Sequence, residues 1–378
     1  MLLLLIFLII SCMYTITTNL INGATMQTDV IRSFATYMNV FLLSQALLVA
    51  GTDLAHGLVT LSRKIFWLLV SLGFIQTIGS DLLGNIIQLI VPRGEGSALV
   101  ESNRGVTLLA TEPARAGVEL TLIYLIYRLG INNKENHLLK DIFLIIFQML
   151  VIKSASAVAF ALGAFLIIYF NPKRGVMALS LATTLLVLMG YLILNALPRI
   201  EGRAADLLMA LLAADLDASA LFYIANESVN RFLAIYSFIV SGLIHPFGHG
   251  VGAWQYSSML AVLESGLDYR DFRFFDVVGN GSLVPFRGPG VISNLMLDVG
   301  VVGTLFVMSL FRATMLKYRK FNLISRQALW IFLFKVTLFG SPGNPIVFVF
   351  LIVVFLTAGT VRSPAASNFH MVHENGKK

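Results

Sequence analysis

Apolar stretches of about twenty residues recur along this chain, and nothing else in the sequence restricts its folding as severely. A helix that crosses the hydrocarbon core of a bilayer needs about 20 apolar residues, within a range of roughly 17 to 25. Candidate stretches lie near 2–18, 34–52, 65–83, 111–129, 177–197, 291–311, 326–340 and 345–361, that at 326–340 being the shortest. Composition agrees, for 57% of the 378 residues are hydrophobic and 12% are charged, against about 25% charged in soluble domains. An ordinary cytosolic enzyme is excluded.

Residues 141–170 are a special case. The stretch carries Lys153, Ser154 and Ser156 at its middle, which suits two short helices meeting at a polar turn better than one long helix. The N-terminal run LLLLIFLIISCMY has no basic residue before Arg32 and no convincing cleavage site, so it reads as a first span rather than a signal peptide. Together these features describe an all-α, polytopic membrane bundle of about ten transmembrane helices, with 1–378 as a single integral membrane domain. The single cysteine, Cys12, excludes an intrachain disulfide and a cysteine-based metal site.

Lys and Arg in short loops set orientation. Arg63-Lys64, Lys134 with Lys140, Lys173-Arg174 and the run from Arg312 through Lys317, Arg319 and Lys320 to Arg326 alternate so as to share one side. That side is assigned to the cytoplasm, together with the polar tail 361–378. The formal net charge of +7 then reflects loops drawn to anionic membrane lipid, and no nucleic-acid motif accompanies it. Segments 84–110 and 198–290 fall outside. The second is the long external loop, and its stretches LLMALLAADL, VNRFLAIYSFIVSGLI and AWQYSSMLAVL read as amphipathic helices. The middle one has an apolar core of only about 13 residues, Phe232 to Ile244, which suits an interfacial or re-entrant helix rather than a span.

Every basic residue of that loop is an arginine: Arg199, Arg203, Arg231, Arg270, Arg273 and Arg287, and the earlier external segment adds Arg93, Arg104 and Arg115. A guanidinium offers a rigid fork of donors to two phosphate oxygens and keeps its charge at an interface. A pyrophosphate at the membrane surface is therefore a natural target. The alternative is pairing with the loop's own acids, since Asp268, Asp271 and Asp276 interleave with Arg270 and Arg273.

Three clusters carry the remaining chemistry. In the first, Arg104 and Arg115 bracket Glu112-Pro113 ahead of a span. Pro113 suits the start of a helix, and Glu112 is either a helix-start acid or a catalytic or sugar-binding carboxylate. The second places Arg231 ahead of the turn His245-Pro246-Phe247-Gly248-His249-Gly250-Val251-Gly252. Its glycines would let the backbone approach a ligand closely or simply turn, and its two histidines, with no third ligand evident, are not expected to hold a metal. In the third, Asn294 and Asp298 stand four apart on one face of a span, as functional groups or as partners in a helix-to-helix hydrogen bond. Lys153 is a further candidate anion contact.

In this order the clusters resemble the O-antigen polymerase and O-antigen ligase superfamily of Wzy-like membrane proteins, over about residues 100–310. Arg104 with Glu112-Pro113 looks like that family's Arg followed by Glu-Pro before a span. Ser154-Ala155-Ser156 is similar to its serine-rich break, and Arg231 with His245-Pro246, Gly248, Gly250 and Gly252 to its arginine and glycine turn. Asn294, Gly300 and Gly303 resemble its closing pattern, and Arg231 to Gly242 has its Arg-x10-Gly spacing. Ser293 departs from it, standing where ligase-like relatives often carry a histidine.

The resemblance implies a polysaccharide polymerase in the bacterial inner membrane. Its donor would be an undecaprenyl-pyrophosphate-linked oligosaccharide and its acceptor a lipid-linked repeat unit, with membrane lipids as surroundings, a chain-length regulator as a possible class of partner, and neither cofactor nor metal. On this reading Arg231 and Arg104, then Arg115, hold the departing pyrophosphate. Lys153 and Asn294 contact substrate, and Glu112, with His245 or His249 in reserve, takes the hydroxyl proton. The alternatives are a ligase, which differs in its acceptor, and a flippase for the same lipid-linked glycan. Transporters show internal repeats and helices broken at mid-membrane, and neither is evident in the sequence.

Overall fold

A computed structural model describes residues 2–21, 27–78, 105–110, 112–130, 137–169, 231–317, 322–339 and 343–358. These residues contain helices, turns and extended connections but no strand. The all-α expectation holds for them. In chain order the helices are α1 (Leu2–Ile21), α2 (Gln27–Ile78), α3 (Pro113–Gly130), α4 (Leu138–Phe147), α5 (Ala155–Tyr169), α6 (Arg231–Ile244), α7 (Trp254–Glu264), α8 (Arg273–Gly279), α9 (Val291–Lys317), α10 (Leu323–Leu338) and α11 (Ile346–Ala358). Two of them contain segments long and apolar enough to cross a membrane, Val30–Ile78 in α2 and Val291–Ala313 in α9. The apolar helices α5 and α11, and Leu233–Ile244 of α6, are shorter than a span. The expected span at 177–197, the lysines and arginines at 134 and 173–174, most of the segment 84–110, the first amphipathic stretch of the long loop and the tail 361–378 lie outside the described residues.

The expected spans 34–52 and 65–83 are not separated by a loop. They belong to one helical element, α2, interrupted only at Gly51, where φ is 74 and ψ is −156. Arg63-Lys64 therefore sits within helix, because the intervening residues contain no proline to stop it. The guanidinium of Arg63 lies 5.6 Å from the centre of the Tyr127 ring, and the Lys140 ammonium lies 5.5 Å from the same ring. Beside them Asp141 is buried and fully engaged: it accepts hydrogen bonds from Tyr124 at 2.5 Å and Tyr169 at 2.6 Å, and pairs with Arg128 at 2.9 Å. This polar lock ties α3, α4 and α5 together at one end of the bundle.

The other end of the α4–α5 pair is the turn expected within 141–170. A short π-helical stretch, Gln148–Ile152, extends α4, and Lys153 then adopts a left-handed conformation with φ 53 and ψ 41. The Ser154 hydroxyl lies 3.2 Å from that of Ser156 and accepts from the Ala157 N–H at 3.4 Å, capping α5. Residues 105–110 close over this tip, with Val106 N–H donating to Val151 C=O at 3.1 Å and Gln76 of α2 bonded in both directions to Leu108.

The described part of segment 198–290 has a small core of its own. Leu233, Ala234 and Phe238 of α6 and Ala261 and Val262 of α7 pack with Phe272, Phe275, Phe286 and Leu297. It does not merely lie over the bundle. Helix α9 is broken at Gly300, where φ is 65 and ψ is −174, which frees backbone groups on both sides of the break. The turn after α6 takes them up: His249 N–H donates to Leu297 C=O at 3.0 Å, Gly250 N–H to Asp298 C=O at 2.7 Å, and Val302 N–H to Pro246 C=O at 3.0 Å. A Cβ on Gly300 would stand 2.2 Å from the Pro246 oxygen, and one on Gly248 would stand 2.5 Å from the Gly300 nitrogen. Contact this close requires glycine on both sides. Helix α1 completes the seat, its Ser11 hydroxyl accepting from Val251 N–H at 3.2 Å. Helices broken within apolar segments, absent from the sequence reading, are thus present at Gly51 and Gly300.

Candidate active site

The break in α9 positions a polar cleft. Ser33, Thr36 and Tyr37 line it from one face of α2, Asn294 and Asp298 from α9, Trp254 from the start of α7, and Arg287 from the extended stretch leading into α9. Spacings of three and four residues put each set on a single helical face. Arg287 is steered from two directions: its guanidinium stands 4.7 Å from the centre of the Trp254 ring, and it donates to the Ser33 hydroxyl at 2.8 Å. Asp298, buried, accepts from the Tyr37 hydroxyl at 2.8 Å and from the Gly252 N–H. The Asn294 amide donates to the C=O groups of Gly288 at 2.9 Å and Gly290 at 2.6 Å. Ser293 donates to Pro289 C=O. These bonds hold the backbone that follows Arg287, so that the cleft presents a cation and a carboxylate together.

A second polar cluster lies on the docked turn. His245 Nε2 is 2.6 Å from Glu264 Oε1, the Ser241 hydroxyl donates to Glu264 Oε2 at 2.7 Å, and His249 Nε2 is 3.0 Å from that same hydroxyl. The two imidazoles face each other with ring centres 4.5 Å apart. Burial and the neighbouring His245 keep His249 below its ordinary pKa. Burial pushes the Glu264 carboxyl up, but hydrogen bonds from His245 and Ser241 outweigh it and hold the carboxyl below the usual range. The sequence reading named no third potential ligand beside His245 and His249, and the structure sets one near them. Glu264, fifteen residues beyond His249 in sequence and at the far end of α7, brings its carboxylate against His245 and to within 4.8 Å of a His249 ring nitrogen.

The other predicted residues are scattered. Arg104 lies outside the described residues, and Arg231 begins α6 with its side chain outside them. Glu112 is exposed one residue ahead of α3, and its C=O accepts from Ala116 N–H, the place of a helix-start acid. Arg115 pairs with Glu119 at 2.7 Å, and Asn344 donates to the same carboxylate oxygen at 2.6 Å. The buried ammonium of Lys335, on α10, has no hydrogen bond among the described residues. Lys153 stands at the α4–α5 tip, and of the predicted set only Asn294 lines the cleft. Sequence reading named Arg287 as one arginine among nine and gave Asp298 a paired role with Asn294, but it missed Tyr37, Trp254 and Glu264. The Gly-Pro-Gly that follows Arg287 was the available signal, since it marks a backbone held in one conformation. In comparison with known proteins, the chain matches no protein-family model, no curated protein and no solved structure.

Proposed function

We propose that the chain is a multi-pass glycosyltransferase of the bacterial plasma membrane that extends a polysaccharide from a polyprenyl-pyrophosphate donor. One observation carries this reading: Arg287, stacked on the Trp254 ring, shares a single cleft with Asp298 at a break in an apolar helix. Transfer of a glycan requires breaking the bond between the anomeric carbon and the diphosphate oxygen while the acceptor hydroxyl oxygen bonds to that carbon. The hydroxyl proton passes to the Asp298 carboxylate. Negative charge gathers on the departing diphosphate, where the Arg287 guanidinium, already oriented by Ser33 and Trp254, meets it with a bidentate fork. Glu112, the leading base of the sequence reading, gives way to Asp298 because it stands exposed at a helix start away from this cleft.

The ten-span topology, the external position of 231–290 and the undecaprenyl carrier belong to the same proposal and rest on hydropathy, charge distribution and the resemblance given above. The decisive assay uses purified protein in detergent with lipid-linked repeat units. Long glycan ladders support the polymerase, and transfer to a different lipid acceptor only would turn the reading to a ligase. A flippase is the second reading, favoured by the break at Gly300 beside a polar cleft. It predicts no elongation in detergent, where no compartments exist, with translocation only in vesicles.

A further inference from the structure

We propose that His245, His249 and Glu264 form a binding site for one divalent transition-metal ion of the zinc class. The site shares no residue with the Arg287 cleft and rests on none of the glycan chemistry. One ligand atom from each of the three residues lies within 4.8 Å of the others. Zinc holds nitrogen and carboxylate oxygen at about 2.0–2.2 Å in a tetrahedron, which places neighbouring ligand atoms about 3.3 Å apart. The His245–Glu264 separation of 2.6 Å must therefore open slightly and the longest separation close, changes within the reach of small side-chain rotations.

Three features make this more than proximity. The imidazoles stand at 56° to each other rather than stacked, so their nitrogen lone pairs can converge on one point. The backbone that carries them is held independently, with His245 N–H on Ser241 C=O at 2.8 Å and His249 N–H on Leu297 C=O at 3.0 Å. The Ser241 hydroxyl touches both Glu264 and His249 and would orient the ligands from behind, the usual support of a metal site. Two imidazoles with one carboxylate suit zinc and its neighbours in the first transition row, whereas calcium and magnesium take sets built from oxygen. Side-chain exposure of 39% at His245 and 18% at Glu264 leaves an ion a route in from solvent.

The test is a direct binding measurement on the full-length protein, purified in detergent and treated with chelator. Zinc is titrated in competition with a chromophoric chelator, with calcium and magnesium as controls. One zinc per chain is expected, displaced by neither control ion, with affinity falling about 100-fold or more in His249→Gln and in Glu264→Gln. Cobalt(II) bound to the unaltered protein should show visible ligand-field bands of four-coordinate nitrogen and oxygen ligation, a readout that needs no variant to fold. Absence of zinc binding, equal affinity in both variants, or cobalt spectra of the hexa-aqua ion alone would overturn the proposal. Loss of glycan elongation would not touch it, and loss of zinc binding would not touch the proposed transferase.

Discussion

Helices α2 and α9 are each broken by one glycine in nearly the same backbone conformation, Gly51 at φ 74 and ψ −156 and Gly300 at φ 65 and ψ −174. Their surroundings are opposite. Around Gly51 a Cβ would meet nothing within 4 Å, while at Gly300 it would strike the Pro246 carbonyl. The first break changes the direction of a helix and asks only for a positive φ. The second exposes backbone N–H and C=O groups inside an apolar segment, and a turn from elsewhere in the chain satisfies them. In a low-dielectric setting each such group left unpaired costs several kcal/mol, of order 2–7, so the docked turn and the broken helix stabilise each other. The Arg287 cleft and the histidine cluster both lie against this junction, and among the described residues neither has a counterpart at Gly51.

If that contrast is right, Gly300→Ala should have the largest effect. The added methyl must push apart two backbones, and we expect a loss of about 3–5 kcal/mol together with loss of glycan elongation, read by thermal unfolding in detergent and by the ladder assay. A stable, active Gly300→Ala protein would remove the distinction between the two breaks. Asp298→Asn keeps the shape of the junction but removes the proton acceptor. Elongation should drop by about 10²–10⁴-fold with the melting temperature little changed, and a melting temperature that falls in parallel would recast Asp298 as a structural residue. Next in size, Arg287→Lys should cost about 100-fold in elongation, since an ammonium cannot reproduce a stacked, forked contact. Full activity in that variant would move the diphosphate site elsewhere. Smallest of all, Gly51→Ala should cost about 1–3 kcal/mol through its positive φ alone and leave ladders of normal length.

Legibility followed range. The polar interruption at Lys153-Ser154-Ser156 was readable because its effect is local: polar groups and a capping hydroxyl stop a helix wherever they occur. Asn294 and Asp298 were readable as a pair because four residues make one helical face. By contrast, the Tyr37 hydroxyl reaches Asp298 across 261 positions, and Glu264 joins His245 and His249 only because α7 folds back on α6. The sequence reading made Arg63-Lys64 a loop because charge suggested an end of a span. Helix continues through it because a long side chain can carry its charge to the Tyr127 ring while the backbone stays helical.

What the amino-acid order determined by itself was the solvent and the class. Apolar residues in this proportion and run length demand helices with satisfied backbones, and hydropathy adds up residue by residue without reference to the rest of the fold. Tertiary structure alone decided which of two similar glycine breaks became a junction, and thereby which arginine faces which aspartate. That choice depends on whether a distant backbone arrives within hydrogen-bonding distance of the exposed N–H and C=O groups, a property of the packed chain that no local window contains.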